Sequence, residues 1–104
     1  MDVSIISPVF NEKDNLEPFI KQVSDALSNE AWTWELILVD DGSEDGSFNL
    51  LQKLSKSQKN LRIISLSKNF GQTSAIQAGF DNASGKYLVT LDSDLQNDPK
   101  DIPS

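Results

Sequence analysis

The chain has 104 residues, of which 16 are acidic and 9 are basic, so its formal charge is −7, and it contains neither cysteine nor histidine. These two absences exclude disulfides, thiolate nucleophiles, zinc sites built on Cys or His, and Ser-His-Asp triads. The acidic excess argues against general binding to nucleic acid or anionic lipid, and the length suits one domain.

The predicted elements begin with a strand and a helix. Residues 3–9 (VSIISPV) are rich in β-branched side chains and predict a buried strand. Apolar residues then recur at helical spacing, at Leu16, Phe19, Ile20, Val23 and Leu27. We expect Asp14 or Asn15 to be the N-cap of this helix, and Pro18 to lie in its first turn, where the missing N–H costs little.

A second strand, a second helix and a third strand follow. Residues 34–39 (WELILV) form an uninterrupted apolar run, which predicts a strand covered on both faces, as in a parallel sheet. The next helical stripe consists of Phe48, Leu51 and Leu54, and its candidate caps are Ser43, Asp45 and Ser47. Residues 61–66 predict the third strand.

The last two predicted elements complete an alternating order. Small and apolar residues recur after Gln72 and predict a helix that could approach the sheet closely and that Gly85 closes. Residues 87–91 (YLVTL) predict a fourth strand. The order β-α-β-α-β-α-β predicts an α/β fold, a parallel sheet with right-handed crossovers and helices on both faces.

Polar side chains follow the end of every predicted strand. They are Asn11 and Glu12, Asp40 and Asp41, Lys68 and Asn69, and Asp92 and Asp94. Because ligand sites in such sheets lie beyond the carboxyl ends of the strands, five carboxylates are expected at one edge. Their repulsion favours a hard divalent cation such as Mg²⁺, Mn²⁺ or Ca²⁺. Asp92 and Asp94 could hold it, with Gln96 adding a neutral oxygen.

Each feature taken alone also has an ordinary structural explanation. Aspartates in loops commonly form turns or cap helices, and Trp32 and Trp34 suit a core better than a ligand. A phosphoacceptor signalling domain and a phosphatase also use clustered aspartates with Mg²⁺. In both of these classes, however, the acidic motif follows the first strand. A non-catalytic nucleotide-binding domain stays open as an alternative.

Five segments, in order along nearly the whole chain, resemble the family 2 glycosyltransferases, most closely the polyprenyl-phosphate branch. They are residues 7–12 (SPVFNE), 38–43 (LVDDGS) with Asp45, 69–71 (NFG) with Ala75 and Gly79, 83–87 (ASGKY) and 91–96 (LDSDLQ). The resemblance implies the Rossmann-like, nucleotide-binding half of a GT-A glycosyltransferase domain. It also implies an inverting transfer of a sugar from a nucleotide diphosphate donor to a polyprenyl phosphate or saccharide acceptor.

The same resemblance implies a role for individual residues. The residues expected at the nucleotide are Pro8, Phe10, Asn11, Glu12, Asp40, Asp41 and Ser93. Asp41 is expected to bond the base and Asp40 to orient its loop. Asp92, Asp94 and Gln96 are expected to hold Mg²⁺ or Mn²⁺ on the donor diphosphate, where negative charge builds as the glycosidic bond breaks. At Ser93, family members usually carry a small apolar residue instead.

The family's catalytic domain continues beyond the metal motif. We therefore expect residues 1–104 to be the nucleotide-sugar-binding N-terminal part of a longer enzyme, binding nucleotide and metal but transferring no sugar, with the general base in the part that follows. An open sheet edge predicts self-association. No apolar run approaches the roughly 20 residues of a membrane span. The expected location is the cytoplasm, at the inner face of the membrane for the whole enzyme.

Overall fold

The computed structural model of the chain describes residues 2–11, 13–28, 31–58 and 60–91. The elements are β1 (Val3–Val9), α1 (Lys13–Leu27), β2 (Trp34–Asp41), α2 (Ser47–Ser55), β3 (Leu61–Leu66), α3 (Gln72–Asn82) and β4 (Tyr87–Thr90). All strand pairs are parallel, and the sheet order is β3-β2-β1-β4. The predicted α/β alternation is confirmed. In the part of the chain so described, no helix is long and apolar enough to cross a bilayer.

Helices cover both faces of the sheet, as predicted. On one face, Ile5 of β1 and Leu38 of β2 pack with apolar residues of α1 and α2. On the other face, Ile6 and Ile37 pack against Ala75 of α3. Because successive side chains of a strand point to opposite faces, both faces need apolar residues, which explains the uninterrupted apolar runs of β1 and β2.

Small residues in α3 allow the helix to lie close to the sheet. Gly79 is buried, and a Cβ atom at this position would collide with the side chain of Ile6 in β1. The close approach expected from the small residues of this helix is therefore present. It buries Ala75 completely against the sheet.

The start of α1 differs from the prediction. The helix begins at Lys13, so Asp14 and Asn15 lie inside it and do not cap it, and Pro18 lies in its second turn. These two predictions were wrong because the N–H of Lys13 donates to Asp45 Oδ2 at 3.1 Å, a partner 32 residues away. A cap supplied by a distant loop leaves no local sequence signal.

Four other boundaries differ in smaller ways. The N-cap of α2 is Gly46, which is none of the three predicted caps. Because glycine has no side chain that could cap the helix, Asp45 accepts a backbone N–H of the first turn instead. The last helix ends at Asn82, followed by Ala83 in an extended conformation, so Gly85 does not close it. The second strand extends two residues further than predicted, and the fourth strand ends one residue earlier.

The sheet order defines where a ligand is expected on topological grounds. From β1 the chain crosses over α1 to β2 on one side, whereas β4 pairs with β1 on the other side after crossing over α3. Ligands in such sheets bind at the carboxyl ends of the strands where the order reverses, here between β1 and β4. The N–H of Leu91 donates to the carbonyl of Ile6 at 3.1 Å, so the described chain ends at this edge.

A buried polar cluster fastens the opposite, amino edge of the sheet. Glu35 at the start of β2 is 3% exposed, and its carboxylate accepts from the Ser4 hydroxyl at 2.5 Å, the Ser84 N–H at 2.8 Å and Arg62 Nη1 at 3.0 Å. Burial raises the pKa of Glu35, but the hydrogen bonds from Ser4, Ser84 and Arg62 outweigh it and hold this pKa below its usual value of 4.5. The cluster ties the connection between α3 and β4 to the sheet.

We expect Glu35→Gln to make stability less dependent on pH. Since the folded pKa of Glu35 lies below 4.5, the carboxylate stabilises the fold fully above that pH and loses its effect as the pH falls through the folded pKa. Urea unfolding at about pH 7 should show a loss of about 1–3 kcal/mol in the free energy of unfolding, and this loss should shrink as the pH falls below 4.5. Glu17→Gln, on the exposed side of α1, is the matched control. A difference that stays constant with pH would contradict this assignment.

Candidate functional site

Three loops meet at the carboxyl edge of the sheet. The β1 loop contains residues 10–11, the β2 loop contains residues 42–46, and the β3 loop contains residues 67–71. Each follows the strand for which it is named, and the order β3-β2-β1 places the β2 loop between the other two. Hydrogen bonds join the β2 loop region to both neighbours.

Asn11 joins the β1 loop to the β2 loop by a reciprocal pair of hydrogen bonds. Its N–H donates to Ser43 Oγ at 2.9 Å, and its Oδ1 accepts the N–H of Glu44 at 2.8 Å. The backbone of Asn11 has φ +52°, a left-handed conformation that asparagine adopts more readily than most residues. Asn11 therefore fixes the relative position of these two loops, in addition to any contact that it makes with a ligand.

Asp45 holds the first turns of α1 and α2 together. Its carboxylate accepts the N–H of Lys13 at 3.1 Å, the N–H of Ser47 at 3.0 Å and the Ser47 hydroxyl at 2.5 Å. Burial raises the pKa of Asp45, but the hydrogen bonds from Ser47 and Lys13 outweigh it and lower the pKa below its usual value. A negative charge at two helix N-termini is also favoured by their dipoles.

Asp41 joins the end of β2 to the β3 loop. One carboxylate oxygen accepts the N–H of Phe70 at 2.8 Å, and the other accepts the N–H of Gly71 at 3.0 Å. The two loops also touch through their backbones, because a Cβ atom at Gly42 would lie 2.5 Å from the N of Asn69 and from the carbonyl carbon of Lys68. The β3 loop is thus fixed by its backbone to the end of β2.

Asp40 differs from its neighbour in having a free acceptor. It is 2% exposed, and its Oδ1 has no hydrogen-bond partner among the described residues. The Ser7 hydroxyl, on the same face of the adjacent strand, is also buried without a partner in that part of the chain. Buried polar atoms of native proteins nearly always have a partner, so Asp40 Oδ1 can accept a hydrogen bond from a donor at this edge.

Two large aromatic side chains remain exposed at the same edge. Phe10 in the β1 loop is 45% exposed, and Phe70 in the β3 loop is 51% exposed. Pro8, next to the end of β1, is half-buried. Together with the two aspartates at the end of β2, these side chains give the edge both apolar surface and a hydrogen-bond acceptor.

The structure brings half of the predicted site residues to one edge. Those placed there are Pro8, Phe10, Asn11, Asp40 and Asp41. Those outside the described residues are Glu12, Asp92, Ser93, Asp94 and Gln96, so their roles at nucleotide and metal stay predictions. Among the residues that are described, no three acidic side chains form a group that could hold a metal.

Sequence reasoning missed the residues that join the loops. Apart from their place in the second family motif, Ser43 and Asp45 were considered only as caps of α2, whereas they bond to Asn11 and Lys13 of the preceding segment. The implied roles of Asp41 at the base and of Asp40 in orienting a loop stay predictions. Among the described residues, however, it is Asp41 that holds a loop and Asp40 that has an oxygen without a partner. The alternation of side chains along β2 could have shown that the two carboxylates point to opposite faces.

Comparison with known proteins identifies the family of the chain and its relatives. The model of the family described as "Glycosyl transferase family 2" matches residues 4–104. A dodecaprenyl-phosphate galacturonate synthase of Rhizobium johnstonii is 47% identical over 105 residues, which cover 100% of this chain and 31% of the relative. An undecaprenyl-phosphate 4-deoxy-4-formamido-L-arabinose transferase of Salmonella choleraesuis is 42% identical, over 97% of this chain and 31% of the relative. The chain spans about a third of the length of these curated relatives.

Solved structures with the same fold carry nucleotide sugars. Mannosyltransferase PcManGT of Pyrobaculum calidifontis, in complex with GDP-Man and Mn²⁺, superposes with a TM-score of 0.79 at 21% identity, over 88% of this chain and 27% of that one. TarS 1-349 of S. aureus, in complex with UDP-GlcNAc, superposes with a TM-score of 0.67 at 26% identity, over 90% of this chain and 27% of that one.

Proposed function

This chain belongs to glycosyl transferase family 2, and on that premise we propose that it forms the donor-binding part of an enzyme that transfers a sugar, with inversion, from a nucleotide diphosphate to a polyprenyl phosphate. The names of the two relatives at 47% and 42% identity support the polyprenyl phosphate acceptor. On this proposal residues 1–104 are the N-terminal part of the catalytic domain. The whole enzyme would work at the inner, cytoplasmic face of a membrane.

The observation that carries the proposal is the pair of carboxylates, Asp40 and Asp41, at the fixed carboxyl edge of a chain whose residues 4–104 match the family. Nucleobases present N–H donors, and Asp40 Oδ1 is an acceptor without a partner in the described residues. Asp41 already accepts two backbone N–H groups, but a carboxylate has about four acceptor positions, so it too can accept from a base. Phe10 supplies apolar surface beside them.

A divalent cation, Mg²⁺ or Mn²⁺, is proposed at Asp92, Asp94 and Gln96. The donor set fits a hard cation, because the chain offers only oxygen ligands of the kind that these ions prefer and no Cys or His. The cation would neutralise the charge that develops on the leaving diphosphate. The Mn²⁺ in the mannosyltransferase structure belongs to a protein that is 21% identical, so the proposal rests on the sequence pattern of this chain.

A polyprenyl phosphate acceptor places little demand on a general base. A polyprenyl phosphate oxygen is already negatively charged, which lessens the need for a strong general base. The base and the acceptor site are expected outside residues 1–104.

The edge strand β4 leaves Tyr87 70% exposed and Leu88 46% exposed. Self-association through this edge stays a prediction, which sedimentation of the protein would check.

Nucleotide binding is tested by a thermal-shift panel of UDP, GDP, CDP and dTDP sugars with and without Mn²⁺. We expect at least one nucleotide to raise the Tm by several degrees, because a ligand at about 100 times its Kd adds about 2.7 kcal/mol. The increase should be larger with Mn²⁺. The matched control is the corresponding nucleoside, which lacks the diphosphate. The absence of any stabilisation in the full-length protein would overturn the proposal.

The remaining alternative is a domain that binds a nucleotide sugar without catalysis. Transfer of a labelled sugar to a polyprenyl phosphate by the full-length protein separates the two functions. Family membership leaves the phosphoacceptor and phosphatase alternatives without support, because both rested only on clustered aspartates. Binding without transfer, by full-length protein supplied with acceptor and Mn²⁺, would favour the non-catalytic function.

A further inference from the structure

Phe70 combines an exposed side chain with a fixed backbone. Its ring is 51% exposed, whereas its own N–H and that of Gly71 donate to the buried carboxylate of Asp41. A single exposed aromatic residue is common on protein surfaces. Here, however, the carboxylate of Asp41 fixes the backbone that carries the ring, while the ring itself stays half exposed.

The loop around Phe70 is fixed from two further directions. The backbone at Gly42 lies so close to Lys68 and Asn69 that only a residue without a side chain fits there. The ammonium group of Lys68 lies 5.4 Å from the centroid of the Phe70 ring, which places a cation over one face of the ring. The other face is then the one on which a flat ligand can lie.

We propose that Phe70 stacks on the base of the donor nucleotide and that Asp41 is the residue that positions it. This inference rests on the proposed function, because it names a contact with the same donor. A nucleobase is flat and uncharged, so it can lie against an aromatic ring at an edge where carboxylates would repel an anion. Stacking is tolerant of the kind of base, so Phe70 would add affinity for any of the four nucleotides.

The role of the ring can be separated from the fold because the loop is held through its backbone. Phe70→Ala keeps both N–H groups that Asp41 accepts, so its Tm should equal that of the unchanged protein. Phe70→Tyr keeps an aromatic face and should keep the affinity. Phe80→Ala removes an aromatic side chain that is 36% exposed on α3, outside the three loops, and serves as the matched control.

Calorimetric titration of the full-length protein with the nucleotide diphosphate that stabilises it, in the presence of Mn²⁺, measures the effect. We expect Phe70→Ala to weaken binding about 5- to 100-fold, the range found for loss of one base–aromatic stack. Phe70→Tyr and Phe80→Ala should bind as the unchanged protein does. Inorganic pyrophosphate with Mn²⁺, which has no base, should bind equally well to the unchanged protein and to Phe70→Ala.

The outcomes distinguish this inference from the proposed function. If the unchanged protein binds a nucleotide and Phe70→Ala binds it equally tightly, the stacking role is overturned and the proposed function stands. An equal loss of pyrophosphate affinity in Phe70→Ala would also overturn stacking, because the ring would then act on the diphosphate. If the unchanged protein binds no nucleotide, both fail together.

Discussion

Gly42→Ala is expected to lower the free energy of unfolding by about 2–5 kcal/mol and to weaken nucleotide binding with it. Two costs combine at this position. The backbone has φ +75°, where a side chain costs about 1–2 kcal/mol. The new Cβ would also lie 2.5 Å from backbone atoms of Lys68 and Asn69, and overpacking of this kind costs about 1–3 kcal/mol.

The consequence for binding follows from the atoms that must move. Since the clash is with backbone, the β3 loop has to move away from the end of β2, and the hydrogen bonds that Asp41 accepts from Phe70 and Gly71 are then strained or lost. The loss should therefore appear both in urea unfolding and in nucleotide titration. A destabilised variant that binds nucleotide normally would show that the β3 loop plays no part in the site.

Gly46→Ala is the matched control for this prediction. Gly46 lies in the same loop with φ +92°, but a Cβ there would meet only the flexible side chain of Lys13, at 3.6 Å or more. It therefore carries the backbone cost of about 1–2 kcal/mol without the clash. Equal losses of stability at Gly42 and Gly46 would contradict the account of the packing between the β2 and β3 loops.

Asp92→Asn combined with Asp94→Asn is expected to abolish the contribution of the metal to nucleotide binding. Loss of an outer-shell partner of a metal ligand already costs about 10- to 100-fold in affinity, so loss of two charged ligands should exceed about 100-fold in the presence of Mn²⁺. Titration of the full-length protein with a nucleotide diphosphate measures this loss. Without added metal, the double variant should bind at least as tightly as the unchanged protein, because two carboxylates that repel the diphosphate are gone.

Asp98→Asn is the control for the effect of charge alone. It lies in the same segment, outside the Asp-x-Asp pattern, and removes one negative charge. It should bind nucleotide and Mn²⁺ as the unchanged protein does. An Asp92, Asp94 double variant that retained the full effect of Mn²⁺ would show that the metal site uses other residues.

Strand and helix order could be predicted from the sequence because each element carries its own periodic pattern. The uninterrupted apolar runs of β1 and β2 predict that both faces of these strands are covered, as the structure shows. The apolar stripe of α1 from Leu16 to Leu27 is buried, as its spacing predicts. Helix starts were predicted less well. The N–H at the start of α1 is bonded to Asp45, and no local pattern reveals a partner from another loop.

The candidate site could be predicted in position but not in detail. Strand ends alone indicate that Asn11, Asp40 and Asp41 lie at one edge, since the strands are parallel. Which oxygen is free and which is occupied depends on side-chain direction and on the β3 loop. The residues 69–71 were recognised as a motif without a role, and the backbone N–H groups that Asp41 binds are invisible in a sequence.

Nucleotide and metal are proposed to bind at the carboxyl edge of the sheet. The most direct test is to add Mn²⁺ and a nucleotide diphosphate to the protein and to measure which amide signals the paramagnetic ion broadens. We predict that the amide signals of Asn11, Ser43 and Phe70 broaden, and that those of Thr33 and Gly85 at the amino edge do not. Mg²⁺ in place of Mn²⁺ should leave all of these signals sharp. Broadening at the amino edge, with sharp signals at the carboxyl edge, would contradict the account.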